Sequence, residues 1–149
     1  MREVLNEMSI RFKSRSANEN FARAAAAAFA AQLDPTVEEL ADIKTAVSEA
    51  VTNCVVHAYP NTVGNIFMTA KIYAGSIFEI KVRDTGEGIA DVRKAREPLF
   101  TTGGRERSGM GFTIMENFMD KLKVVSKTGK GTTVTMEKKI SVRCGGNKK

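Results

Sequence analysis

Alternation of apolar and charged residues is the feature that most limits how this chain can fold. Over residues 77–83 the sequence reads IFEIKVR, so apolar and charged side chains point to opposite sides of an extended segment. Such a period of two is typical of a half-buried β-strand, and residues 8–13 repeat it. The sequence therefore predicts strands that bury one face and expose the other.

Two capped helices are predicted between these strands. Ser16 and Glu19 have the spacing of a capping box before an alanine-rich segment. Thr36 and Glu39 repeat that spacing before a longer segment, which extends to about His57 and carries one apolar stripe. We expect the first helix to pack closely through its small side chains.

The order of the elements indicates the fold class. Hairpins are predicted over residues 65–83 and 121–140, with a further helix at about 112–119. Helices that cover one face of a mixed, mostly antiparallel sheet form a two-layer α+β sandwich, and regular βαβ alternation is absent from the sequence. We expect one domain over residues 1–149, with frayed ends at 1–6 and 141–149.

Composition excludes several classes of protein. Cys54 and Cys144 lie far apart, and His57 is the one histidine, so no zinc site can be assembled. The sequence has no signal peptide and no segment near the ~18 apolar residues of a membrane span, so we expect a cytoplasmic protein. A net charge of +6 predicts an anionic partner, which leaves nucleotide, nucleic acid, membrane surface and acidic protein open.

The second helix carries two polar residues one turn apart. Glu49 and Asn53 lie on the same side of that helix because residues four apart are stacked. Mg²⁺ accepts few protein ligands, so one amide oxygen can suffice, and the carboxylate can orient or deprotonate a nucleophile. A solvated helix face is the alternative for this pair alone.

Glycine-containing turns follow the predicted strand 77–83 and precede the last helix. Asp84 begins a D-x-G-x-G motif, in which glycines would let the backbone approach a flat ligand and the carboxylate would accept from an exocyclic amine. Gly109 and Gly111 open a helix, where free amide groups and the helix dipole favour phosphate. An ordinary strand-ending turn is the alternative for the first motif.

Arg105 and Arg107 precede the second pair of glycines and could reach a terminal phosphate, although solvated loop arginines would have the same pattern. The sequence contains neither a P-loop nor a complete dinucleotide fingerprint. A nucleic-acid binder is disfavoured because aromatic residues make up 7% of the chain and tryptophan is absent, so no stacking platform is evident.

Taken in order, these motifs resemble the GHKL ATP-binding family of DNA gyrase, MutL, histidine kinases and small serine kinases. EAVTN at 49–53 is similar to its N-box, DTGEGI at 84–89 and SGMGF at 108–112 to its two glycine boxes, and GKGTTV at 129–134 to its late strand. The segments SEAVTN, QLDP, PLFTT and RSGMGFTIMENFMD resemble the bacterial anti-sigma factor kinases, and that likeness extends over about 6–140.

The resemblance implies a protein serine kinase that uses ATP and Mg²⁺. Glu49 would be the general base and Asn53 the Mg²⁺ ligand. Asp84 would accept a hydrogen bond from the adenine amine, with Thr132 beside it. The other nucleotide-binding residues implied by motif position are Gly86, Gly88, Arg105, Arg107, Gly109, Met110, Gly111 and Phe112.

The resemblance also implies protein partners. Members of this family sequester an RNA polymerase sigma factor and phosphorylate a serine of a STAS-type anti-anti-sigma antagonist, and the sporulation members imply sigma F. Arg23 matches a partner-binding surface on the first helix. A homodimer is expected, with no direct contact to nucleic acid or membrane. The alternatives are an anti-sigma B type stress-response kinase and a non-catalytic module that binds ATP and sequesters a partner.

Overall fold

A computed structural model of the protein describes residues 2–97 and 111–141, and within them it contains five strands and four α-helices. A 3₁₀ turn (Ala31–Leu33) follows the first helix, and a π-helical turn (Cys54–Ala58) extends the second. In chain order the elements are β1 (Val4–Lys13), α1 (Asn18–Ala30), α2 (Val37–Asn53), β2 (Asn65–Tyr73), β3 (Ile77–Asp84), α3 (Val92–Ala95), α4 (Gly111–Phe118), β4 (Lys121–Lys127) and β5 (Gly131–Lys139).

The strands form one sheet in the order β1-β2-β3-β5-β4. The predicted α+β class is confirmed, but the sheet is not mixed, since all four pairings among the described strands are antiparallel. Both predicted hairpins are present. The β2–β3 turn contains Gly75 and Ser76 at φ of 92° and 62°, the left-handed region that tight turns require.

The first strand begins earlier than predicted. It pairs with β2 from Val4 onward, with an irregularity before Asn6, although alternation is visible in the sequence only from Met8. Arg2 forms an ion pair with Glu137 at 2.6 Å. Residues 2–6 are therefore part of the sheet and its margin rather than a frayed end, because pairing with β2 supplies their order.

The described helices cover one face of the sheet. α1 packs against α2, and α2 packs against α4. Ala22, Ala26 and Ala30 of α1 are fully buried, which confirms that this helix packs through small side chains. The inward residues of the strands complete the core and include Ile66, Met68, Phe78, Ile80, Val82 and Met136. No helix within 2–97 and 111–141 has both the length and the apolar character needed to cross a membrane.

The two predicted capping boxes have different outcomes. Thr36 Oγ1 accepts from the Glu39 amide at 3.0 Å, and Glu39 Oε1 accepts from the Thr36 amide at 2.9 Å, so this box is confirmed. The Ser16 box is wrong, because α1 begins after Ala17 without a side-chain cap. There the Glu19 amide donates to the Ser16 carbonyl at 3.1 Å, so a backbone turn satisfies the group that the hydroxyl would have capped.

Candidate functional site

The end of α2, the turn after β3, α3, the start of α4 and β5 enclose a cavity of about 360 Å³. This volume is in the range of small-molecule and cofactor sites. The predicted site residues that line the cavity are Asn53, Asp84, Gly88, Gly111, Phe112 and Thr132. Most of the other lining residues are apolar and include four alanines, Ile89 and Val134.

Asp84 ends β3 with its carboxylate inside the protein, where the residue is 5% exposed. Oδ1 accepts from the Gly86 amide at 2.9 Å and from the Thr132 amide at 3.2 Å. Burial raises the pKa of the Asp84 carboxyl above its usual value, and the two amide hydrogen bonds oppose that shift. Oδ2 faces only the Cys54 thiol among described donors, at 3.5 Å, so it can accept from a stronger donor.

Cys54 is the first residue of the π-helical turn and lines the same cavity. Burial, followed by the nearby charge of Asp84, raises the pKa of its thiol well above the usual value, so the thiol stays protonated. A thiol is a weak donor. A ligand amine directed at Asp84 would therefore replace a weak hydrogen bond with a stronger one.

The glycines of the D-x-G-x-G motif are required by contacts within the protein itself. A Cβ at Gly86 would lie 2.3 Å from the carbonyl oxygen of Ala58, and one at Gly88, whose φ is +78°, would lie 2.3 Å from that of Lys127. The Glu87 amide also donates to the Ala58 carbonyl at 3.1 Å. These glycines allow the turn to pack against the protein's own backbone, and this packing sets the wall of the cavity.

Tyr59 anchors the turn over residues 84–89, called the glycine turn below, a role that the sequence did not predict. Its side chain is buried, and its hydroxyl accepts from the Thr85 amide and donates to the Asn65 carbonyl, both at 2.8 Å. The π-helical turn places it, because the Tyr59 amide donates to the Cys54 carbonyl five residues earlier at 3.1 Å. Such turns are frequent at functional sites.

Ser126 is a second residue that sequence reasoning missed. Its Oγ accepts from the Ile89 amide at 2.7 Å, donates to the Gly131 carbonyl at 3.1 Å and lies 2.7 Å from Thr132 Oγ1. One hydroxyl thus joins the glycine turn to the β4–β5 hairpin. A lone serine in a short strand carries no sequence signal for such a role.

Glu49 and Asn53 converge on the first residue of α4. Glu49 Oε1 and Asn53 Oδ1 each lie 3.3 Å from the position that a Cβ would occupy at Gly111. The glycine therefore leaves room for two oxygen atoms at the N-terminus of a helix. No group of three or more His, Cys, Asp or Glu side chains within the described ranges could hold a metal ion.

Five predicted site residues remain. Arg105, Arg107, Gly109 and Met110 lie outside the described residues. Arg23 lies on α1 and does not line the cavity; its guanidinium donates to Ser48 Oγ at 3.4 Å and to Asn20 Oδ1.

The chain is similar to a known protein family and to named relatives over most of its length. Residues 12–138 match the family model described as histidine kinase-like ATPase domain. The chain is 60% identical over 139 residues to the anti-sigma F factor of Caldanaerobacter subterraneus subsp. tengcongensis, an alignment covering 93% of this chain and 96% of that relative. It is 55% identical over 137 residues to the anti-sigma F factor of Geobacillus thermodenitrificans, covering 91% and 94%.

Solved structures agree on the fold. The RsbU and RsbW domains of a Mycobacterium tuberculosis protein match with a TM-score of 0.66 at 21% identity, over 91% of this chain and 32% of that one. The histidine kinase domain of an Erythrobacter litoralis blue-light activated kinase matches with a TM-score of 0.56 at 19% identity, over 84% and 60%. The chain belongs to the histidine kinase-like ATPase domain family, as its GHKL motifs indicated, and within that family it groups with the anti-sigma F factors.

Proposed function

We propose that this protein is an anti-sigma factor that binds ATP and phosphorylates a serine of its anti-anti-sigma antagonist. The observation that supports nucleotide binding is the buried Asp84 carboxylate in the cavity wall, which has one oxygen satisfied by two backbone amides and the other contacted by the weak thiol donor of Cys54. The relatives at 60% and 55% identity, both named anti-sigma F factor, support the partner part. Sigma F is the sigma factor that we propose for this chain.

The adenine would bind at the Asp84 end of the cavity. Asp84 Oδ2 would accept from the exocyclic amine, in place of the Cys54 thiol that now lies 3.5 Å away. The apolar wall suits the faces of a purine ring, and Phe112 and Ile89 belong to that wall. Because Oδ1 already accepts from two amides, the carboxylate is oriented before any ligand binds.

The phosphates would lie toward the start of α4. The amide groups of a helix N-terminus and its dipole favour anions, and Gly111 brings them next to Glu49 and Asn53. The oxygen donors that converge here fit a hard cation, and Asn53 Oδ1 would hold Mg²⁺ together with phosphate oxygens and water. When bound, Mg²⁺ neutralises charge on the phosphates.

Glu49 would act as the general base. The serine hydroxyl of the antagonist would lose its proton to Glu49 as the bond from its oxygen to the γ-phosphorus forms and the bond from phosphorus to the departing ADP breaks. Most of the acceleration would come from positioning and from stabilisation of charge rather than from covalent chemistry. Asn53 and Glu49 come from one helix, so the chain holds both groups in a common frame.

Replacement of Glu49 by Gln tests this assignment. Loss of a general base lowers rates by about 10² to 10⁴, whereas the affinity for ATP should change by less than about threefold because Gln has nearly the same size and makes similar contacts. Phosphoryl transfer from labelled ATP to the purified antagonist measures the first quantity, and calorimetry measures the second.

The matched control is Glu38→Gln, a carboxylate on the exposed first turn of the same helix. Mass spectrometry of the antagonist identifies the residue that carries the phosphate. Transfer at the wild-type rate by Glu49→Gln would contradict the role of Glu49. ATP binding by the wild-type protein without any transfer would instead favour the non-catalytic module, and preference for sigma B over sigma F would favour the stress-response kinase.

A further inference from the structure

The sheet face opposite the described helices carries a basic groove of about 350 Å³ over strands β1, β2 and β3. It lies on the other side of the sheet from the cavity, since its cations alternate along β3 with buried residues. Six of its lining residues carry the argument and are called the β-face groove below: Ser9, Arg11, Phe67, Thr69, Lys81 and Arg83.

Strand register brings the three cations of the β-face groove together. Arg11 is paired with Phe67 and Phe67 with Arg83, so the two arginines flank β2 about 10 Å apart, twice the strand spacing. Lys81 lies two residues before Arg83 on the same strand, about 7 Å along it. Lys81 is paired with Thr69 and Thr69 with Ser9, and the hydroxyls of these two residues lie 3.1 Å apart and offer hydrogen bonds beside the cations.

These cations form no ion pairs with the described carboxylates of their own face. Within residues 2–97 and 111–141, neither Arg11 nor Lys81 forms an ion pair. The carboxylates of the same face lie in the row that pairs Glu7 with Lys71 and Lys71 with Glu79. In that row Glu79 accepts from the Tyr73 hydroxyl at 3.2 Å, and Glu137 pairs with Arg2 and Lys121 at 2.6 and 3.5 Å. The β-face groove is therefore a patch of positive charge, which favours an anionic partner.

The aromatic rings of this face disfavour nucleic acid as that partner. Single-stranded nucleic acid binds to sheets by stacking its bases on free aromatic rings. Here the guanidinium of Arg83 covers Phe67 at 4.1 Å, and that of Arg2 covers Tyr73 at 4.4 Å. A second copy of the chain is disfavoured as well, since a two-fold interface centred on the groove would oppose like charges.

We propose that the β-face groove docks an acidic segment of a protein partner, with its Asp or Glu side chains against Arg11, Lys81 and Arg83. The backbone and side chains of that segment would also meet the hydroxyls of Ser9 and Thr69. Arg83 and Asp84 are consecutive residues on opposite faces of β3. A partner held at the groove therefore leaves the cavity on the other face open.

A fluorescein-labelled peptide of ten glutamates tests the proposal by anisotropy at low salt. We expect the Arg11→Glu/Lys81→Glu variant to bind it at least about tenfold more weakly, because two attractions become repulsions. The control, Lys44→Glu/Lys130→Glu, makes the same change in net charge at exposed positions outside the groove and should differ from wild type by less than about threefold. Labelled deca-thymidine should bind more weakly than the peptide.

Amide chemical shifts of the wild-type protein provide a second measurement that does not depend on the folding of a variant. Addition of the glutamate peptide should shift the resonances of Ser9, Thr69 and Lys81 more than those elsewhere. Equal losses in the two double variants, tighter binding of the oligonucleotide, or shifts centred away from the groove would each overturn the proposal. So would sedimentation data in which only the groove variant abolishes self-association while peptide binding is unchanged.

Discussion

The two ends of the candidate nucleotide site are built differently. The Asp84 carboxylate accepts hydrogen bonds from Gly86 in the glycine turn, from Thr132 on β5 and from Cys54 just after α2, so three parts of the chain hold it. At the other end, Glu49 and Asn53 come from one helix and meet the start of another at Gly111. From this difference we infer that the two ends have separate roles. The Asp84 end recognises the adenine, and the end with Glu49 and Asn53 carries out phosphoryl transfer.

The largest change in ATP affinity is expected from a substitution at the Asp84 end of the site. Asp84→Asn removes the charge that Oδ2 offers to an amine while Asn can keep the amide hydrogen bonds at Oδ1. Hydrogen bonds to charged groups contribute about 1.5–3 kcal/mol, so we expect ATP affinity measured by calorimetry to fall about ten- to hundredfold. The control is Asp42→Asn on α2, whose carboxylate pairs with Lys138 and does not line the cavity.

A smaller effect, in a different parameter, is expected at the transfer end. In Gly111→Ala the new Cβ would lie 3.3 Å from oxygen atoms of both Glu49 and Asn53, so these groups must shift by a few tenths of an ångström. We expect the transfer rate to fall about tenfold, because catalysis is sensitive to such displacements, while ATP affinity falls less. The control is Gly75→Ala, which lies outside the cavity lining: its φ of 92° makes the alanine costly in stability, but because the added carbon meets no atom within 4 Å, neither the transfer rate nor the ATP affinity should change. A larger loss in affinity than in rate would contradict the separate roles of the two ends.

Ser126→Ala tests a residue that supports the Asp84 end of the site without lining the cavity. It leaves the Ile89 amide without its described acceptor and removes the link to Thr132. We expect the free energy of unfolding to fall by about 1–2 kcal/mol and ATP affinity to fall a few-fold, with the transfer rate at saturating ATP nearly unchanged. Thr135→Ala on the same hairpin is the control, and equal effects of the two would remove the special role of Ser126.

The smallest effect concerns pH. Burial raises the pKa of the Asp84 carboxyl in the folded protein, so the folded state holds this proton at a higher pH than the unfolded state does. The charged carboxylate therefore costs stability above the raised pKa, and that cost disappears as pH falls through it. Relative to Asp84→Asn, the nucleotide-free wild type should become more stable as pH falls through the region just above the usual carboxyl range. Parallel unfolding curves of the two proteins at every pH would contradict this.

Sequence reasoning was strongest where a local pattern carries the structure. The Thr36 capping box, the hairpins and the strand alternation follow from contacts within a few residues, and each is present. The shared side of Glu49 and Asn53 follows from helix geometry alone. The beginning of β1 was missed because residues 4–6 depend on pairing with β2, which lies far along the chain.

Contacts between distant segments could not be predicted in the same way. Tyr59 and Ser126 hold the glycine turn through atoms that are 26 and 37 residues away in sequence. The reason for Gly86 also depends on a distant segment, since it is the Ala58 carbonyl that leaves no room for a side chain. The β-face groove likewise depends on the register of three strands rather than on any one motif.

A paired measurement on Asp84→Asn and Glu49→Gln tests the central claim most directly: the ATP dissociation constant and the single-turnover rate of transfer to the antagonist, for both variants. The account predicts that Asp84→Asn loses affinity but transfers phosphate from saturating ATP, whereas Glu49→Gln binds ATP normally and fails to transfer. If both variants lose the same parameter, or if Asp84→Asn binds ATP as the wild type does, the two ends do not have separate roles and the proposed site is wrong.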